Sequence, residues 1–308
     1  MANSYKTVAE IASINGEDFS DGQFSDVLND APVIASIPAV TSSKGNVHQY
    51  RKTTAAPVVG YVGDGVGRDL SKSTKIAVTA DLEALDASFA VPVHVANASN
   101  AEDVVQGELI EHLAASMFAF ESQLINGTIE GDAAGHEGLA NQANAVASSQ
   151  FVNATGSTAD VQTSVYMVRF SAMDGVAAVI HPEITVGTTI IQDMLAANGK
   201  SMAHYYTPLQ GYNGVQVGTN YSTVRIGNLN DVTDSKGLTD DLLSAALEKF
   251  PAGKQPNRIL MSRLSLGQLQ RSRTTYSPTG TPAPRPTEYE GIPITVTDAI
   301  IATEAVVA

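Results

Sequence analysis

Residues 99–127 read SNAEDVVQGELIEHLAASMFAFESQLING. Within them Val105, Leu109, Leu113, Met117, Phe120 and Leu124 recur at spacings of 4, 4, 4, 3 and 4. Side chains three and four positions apart share one face of a helix, so the spacing predicts one long helix with a single apolar stripe. Ser99 and Glu102 stand at capping-box spacing, and Asn126-Gly127 suits a helix C-terminus. At ~1.5 Å per residue the rod spans roughly 39 Å.

Upstream, residues 46–80 hold two strand-like runs, Ala56–Val62 and Lys75–Thr79, around a tip with Gly60, Gly63, Gly65 and Gly67. A hairpin of this length reaches on the order of 50 Å. A two-stranded ribbon alone is marginal in water, so something outside the segment has to hold it. Before it, residues 1–45 alternate short apolar groups with Gly, Ser, Asp and Pro, which predicts an extended arm with at most a helical turn at Phe24–Leu28. Downstream, Phe89–Val95 alternates as a strand. Further strands are expected at Val165–Phe170, Val176–Ile180, Gly214–Val217, Thr223–Leu229, Arg258–Ser262 and Ile292–Ala299, and helices at Thr188–Asn198, Asp240–Phe250 and Leu264–Arg271. The fold class is α+β, with mixed, mostly antiparallel strands.

Composition narrows the function. The 308 residues carry 18 Lys+Arg against 32 Asp+Glu, a net charge of −14, and only 16% are charged. That is well under the roughly 25% of an average soluble domain, and a surface so poor in charge suits a chain that meets neighbouring subunits. The absence of cysteine excludes disulfide scaffolds, thiolate metal sites and cysteine nucleophiles. No apolar run reaches the ~18 residues of a membrane span, and the first residues lack the pattern of a secretory signal.

The charge is unevenly placed. Ile76–Val168 has no Lys or Arg but twelve acids, among them Glu102, Glu108 and Glu111. Such a surface repels a polyanion. Asn46–Ala80 leans the other way, with Arg51, Lys52, Arg68, Lys72 and Lys75 against Asp64 and Asp69, and Lys254–Arg285 holds six cations and no acid. Patches of this kind are ordinarily solvated surface. The sharper alternative is that basic and acidic patches on different copies meet, because complementary potentials fix register between subunits. On that reading the intersubunit contact candidates are Arg51, Lys52, Arg68, Lys72 and Lys75 with Glu102, Glu108 and Glu111.

Chemistry-bearing motifs do not survive inspection. Gly60-Tyr-Val-Gly63-Asp-Gly65-Val-Gly67 lacks the Lys-Ser/Thr ending and the following helix of a phosphate loop, and reads as a hairpin tip. Asp231, Asp234, Asp240 and Asp241 lack calcium-loop spacing. Six His residues are scattered without a paired spacing, and no nucleophile elbow appears. No catalytic residue, metal site or cofactor is assigned.

The order of elements (arm, unsupported hairpin, long helix, mixed core, returning strand) resembles the major capsid proteins of tailed bacteriophages, with their Hong Kong 97-like fold. Phe120–Gly127 followed by Gly138-Leu139 is similar to the end of that family's spine helix. Thr163–Phe170 with Gly175-Val176, Tyr212–Val217, Thr223–Leu229 and Gly291–Ile300 resemble strands of one capsid subfamily. The resemblance implies an N-terminal arm at 1–45, an extended loop (E-loop) at 46–80, a peripheral domain at 81–179 with the spine helix at 99–126, an axial domain at 180–285 and a returning strand at 286–308. It implies pentamers and hexamers building an icosahedral shell around double-stranded DNA, with separate scaffolding, portal and decoration proteins as partners and the host cytoplasm as the site before assembly. Some such shells carry a Lys–Asn cross-link; Lys72 and Lys75 match its lysine by position, but no asparagine is placed and no cross-link is expected. Two alternatives stand beside this one: an encapsulin-like protein compartment and, from another class, a soluble hydrolase.

Overall fold

The computed structural model describes residues 30–98, 100–127, 135–181, 185–195, 199–232, 234–275 and 281–308. The Phe24–Leu28 turn and Ser99 lie outside them. At the centre is a six-stranded sheet in the order β15 (Glu288–Tyr289), β16 (Ile292–Val296), β14 (Arg258–Met261), β7 (Thr163–Val168), β13 (Thr223–Leu229) and β6 (Phe151–Asn153). Strands β7 and β13 are buried along their whole length, as strands covered on both faces must be. Alternation sorts the two cores. Val165 and Met167 point to one side, against Leu243 and Ala246 of a helix at Asp240–Leu247 and Leu266 and Leu269 of another at Arg263–Thr275. Tyr166 and Val168 point to the other, against Leu124 and Ile125 of the long helix, Ala101–Asn126.

A second sheet runs β1 (Ala39–Thr41), β8 (Val176–Ile180), β12 (Leu209–Val217), β4 (Glu83–Asp86), with β9 (Thr185–Val186) also on β12. A third runs β10 (Ile190–Leu195), β11 (Ser201–Thr207), β5 (Phe89–Pro92) and covers the N-terminal half of the long helix, where Phe89 and Val91 meet Val104, Val105 and Leu109. The fourth is the hairpin β2 (Val47–Ala55) with β3 (Thr74–Asp81). The six-stranded sheet draws β7, β13 and β16 from three different segments of the division drawn along the sequence.

Four local expectations change. The helix expected at Thr188–Asn198 is strand β10, paired antiparallel with β11 from Ile190↔Tyr206 to Leu195↔Ser201. The strand expected at Ala56–Val62 is absent, because the ladder ends at Ala55↔Thr74. The strand expected at Phe89–Val95 stops at Pro92, which has no N–H to extend a ladder, and Val93–Ala96 forms one helical turn. The long helix is present, but its stripe is fully buried only toward the C-terminus: Phe120 and Leu124 are in the core, Val105 and Leu109 are half-buried against the third sheet, and Leu113 is exposed, as is Ile110 at 68%.

Candidate assembly surface

The base of the hairpin is fixed by one face of β2. His48, Tyr50 and Lys52 alternate and therefore point the same way. The His48 ring Nε2 lies 2.9 Å from Gln216 Oε1, the Tyr50 hydroxyl donates to the Val217 carbonyl at 2.9 Å, and the Lys52 ammonium donates to Asn220 Oδ1. The His48 and Tyr50 rings stack at 5.8 Å. Burial raises the Tyr50 pKa against the lowering pull of the Val217 bond, and burial lowers that of Lys52. The hairpin thus leaves the subunit from the end of β12 at a set angle.

Beyond Lys52 the support ends. Every residue from Thr53 to Lys72 is exposed. Side chains, not a strand ladder, shape this tip. The Arg68 guanidinium donates to the Val58 and Gly60 carbonyls, and the Ser71 hydroxyl accepts from the Val58 N–H at 2.8 Å. Gly65 turns the chain at φ +79, where a side chain would be strained. The tip presents Val58, Val59, Tyr61, Val66 and Leu70 to solvent, with Tyr61 and Leu70 essentially fully exposed. Lys72, Lys75 and Arg51 are exposed on the same ribbon. Exposed apolar side chains gathered on one short segment are unusual for a chain that stays alone.

Other candidates lie along the long helix. Glu102 and Glu111 are exposed there, and so are Ile110 and Leu113. Glu108 is buried inside its own subunit and sits 3.7 Å from His112 Nε2. His112 stacks on Phe89 at 5.0 Å and bonds the Ala87 carbonyl at 3.0 Å. Of the eight contact candidates, Arg51, Lys72, Lys75, Glu102 and Glu111 therefore face outward, while Lys52, Arg68 and Glu108 serve contacts within the chain. His48 and Tyr50 escaped the sequence reading, although their alternation with Lys52 was a legible signal.

The acidic stretch after β13 is structural. Asp234 accepts from the Ser157 and Thr158 backbone N–H groups at 2.8 and 3.0 Å and from the Thr158 hydroxyl at 2.6 Å. Those bonds, led by the Thr158 hydroxyl, hold its pKa well below the usual carboxylate range. Asp240 pairs with Arg273 at 2.6 Å, and Asp231 pairs with Arg271. Among the described residues no group of three His, Cys, Asp or Glu side chains is arranged to hold a metal, and no helix is long and apolar enough to cross a membrane.

No curated protein sequence matches this chain. Among solved structures, one of bacteriophage epsilon15 is similar to it with a TM-score of 0.71 at 17% identity, covering 99% of this chain and 98% of that one. A procapsid of bacteriophage JBD30 gives 0.44 at 12% identity, covering 96% and 100%. An encapsulin complex of Synechococcus elongatus gives 0.48 at 12% identity, covering 75% and 98%. The epsilon15 likeness shows a Hong Kong 97-like fold, and a family model described as major capsid protein GP7 matches residues 22–308. With a hairpin built to reach outward and a fold of that kind beneath it, the chain belongs to the major capsid protein GP7 family.

Proposed function

We propose that the hairpin is an intersubunit strap, and that residues 53–75 of one copy lie on the acid-rich surface of the next, along the exposed face of its long helix. The observation that carries this is the tip: every residue from Thr53 to Lys72 is exposed, large apolar side chains among them, with Lys72 and Lys75 at its return, on a ribbon that the described residues anchor at its base. A net charge of −14 makes copies repel at long range, so local complementarity between Lys72 and Lys75 and the helix carboxylates sets the register. Each stable contact of this kind buries on the order of 1,000 Å² or more.

Repeated around an axis, such a head-to-tail contact closes into rings. The rings are pentamers and hexamers of an icosahedral shell that encloses double-stranded DNA sterically, because an acidic wall does not adhere to phosphate. In this reading 1–45 is the arm, 46–80 the E-loop, 81–179 the peripheral part, 180–285 the axial part and 286–308 the returning strand, with the central sheet shared across the boundaries. Scaffolding, portal and decoration proteins are separate partners, and assembly takes place in the host cytoplasm. The test is deletion of residues 55–72. The expected product is a subunit with unchanged far-UV circular dichroism that builds no shells under electron microscopy. Normal shells from the deletion would overturn the strap.

A further inference from the structure

Glu121 lies near the C-terminal end of the long helix and is 0% exposed. Its Oε2 accepts from the backbone N–H groups of Val33 at 2.8 Å and Ile34 at 3.1 Å, and its Oε1 accepts from the Thr297 hydroxyl. Thr297 Oγ1 in turn accepts from the Ala299 N–H at 3.0 Å, and Asn126 donates to the Ala299 carbonyl at 2.6 Å. Three segments distant in sequence meet at one carboxylate: the turn at 31–37, the long helix and the stretch after β16. Val33 completes the docking by packing with Leu124, Ile125, Ala299 and Ile300.

None of the partners is a cation. The charged groups nearby are carboxylates: Asp298 beside Thr297, and Asp30, which lines with it a cavity of about 440 Å³. From the helix itself, the residues one turn away are Met117, Phe118, Leu124 and Ile125, all uncharged. An ionised carboxylate removed from water without a counter-ion carries a desolvation cost that its hydrogen bonds only partly offset.

We propose that Glu121 is a protonation-governed latch for the 31–37 turn, tightened by proton uptake and loosened by proton loss. The neutral acid suits the site, since its carbonyl oxygen accepts from Val33 and Ile34 while its O–H donates to Thr297. Burial pushes the Glu121 pKa up, Asp298 adds to that, and the bonds from Thr297, Ile34 and Val33 pull it down without cancelling it. The docked carboxyl therefore binds a proton more readily than the undocked one at 4.5. Docking is strongest below that value and weakens as pH rises through the docked pKa. This inference does not depend on the strap.

Hydrogen exchange of the full-length chain, read by mass spectrometry between about pH 5 and about pH 8 and corrected for intrinsic exchange, tests it. Protection of the Val33 and Ile34 amides is expected to fall on the order of tenfold across that range, with Ile259–Met261 in the central sheet unchanged. Glu121→Gln, uncharged and of the same shape, should hold the turn equally at both ends. Asp298→Asn, on the surface, should move the loss of protection to lower pH. The latch is overturned by a wild-type profile that is flat or rises with pH, by a Glu121→Gln profile that still falls, by an unmoved or raised midpoint in Asp298→Asn, or by core amides that change in step with the turn.

Discussion

Arg225 sits in the middle of the buried strand β13, and its guanidinium is spent entirely inside the protein. It pairs with Glu304 at 2.8 Å, donates to Ser164 Oγ at 2.9 Å and to the Ala140 carbonyl at 3.1 Å, and lies 5.9 Å from the ring centroids of Phe151 and Tyr166. One side chain thus ties β6, β7, β13, the 139–144 turn and the C-terminal stretch. Removing one partner of a buried pair strands the other charge, so Arg225→Met should lower stability by ~3–5 kcal/mol in urea unfolding. Arg225→Met with Glu304→Leu should cost less than the single change, because no charge is left unpaired. An arginine inside an apolar strand was visible in Thr223–Leu229; its partner, 79 positions away, was not, since nothing local encodes a long-range pair. Surface carboxylates add a pH dependence of the opposite sign to that of Glu121. Ser171 and Arg169 hold Asp174, and Thr158 holds Asp234, below the unfolded value of 3.8. Their contribution is present above that value and is lost as pH falls through the folded pKa. The melting temperature should therefore drop in acid, and Asp234→Asn should flatten that drop.

At the scale of elements, the long helix was legible because its apolar residues keep helical spacings of three and four for about five turns, and the buried strands because alternation and β-branched content agree. Strand β10 was misread for a definable reason. Ile190, Ile191, Met194 and Leu195 fall at helical spacing, yet three of the four are exposed, so the pattern reports no buried helical face. Hydrogen bonding to β11 decides the conformation instead. The hairpin tip was misread similarly: Val58, Val59 and Val62 look like a strand, but their apolar surface serves no core within the chain. Ile110 offers a clean separation of folding from assembly. As it is 68% exposed, Ile110→Lys should change subunit stability by less than ~0.5 kcal/mol. It should also abolish shells in electron microscopy, because on the proposed strap it sets an ammonium, desolvated by the contact, against the basic ribbon of the neighbour.

The whole molecule combines a packed body with one extended element, which on the proposed strap a second copy completes. The central sheet, covered by the long helix on one face and two shorter helices on the other, supplies the body. The anchor of His48, Tyr50 and Lys52 aims the ribbon, and on the proposed strap the net charge of −14 holds copies apart at long range while the apolar tips find their sites. A cryo-electron-microscopy map of the assembled particle, detailed enough to trace the main chain, tests the strap most directly. The result expected is continuous density for residues 58–70 against the exposed face of the neighbouring subunit's long helix, near Ile110 and Glu111. Tips folded back on their own subunit, or projecting free into solvent, would contradict it.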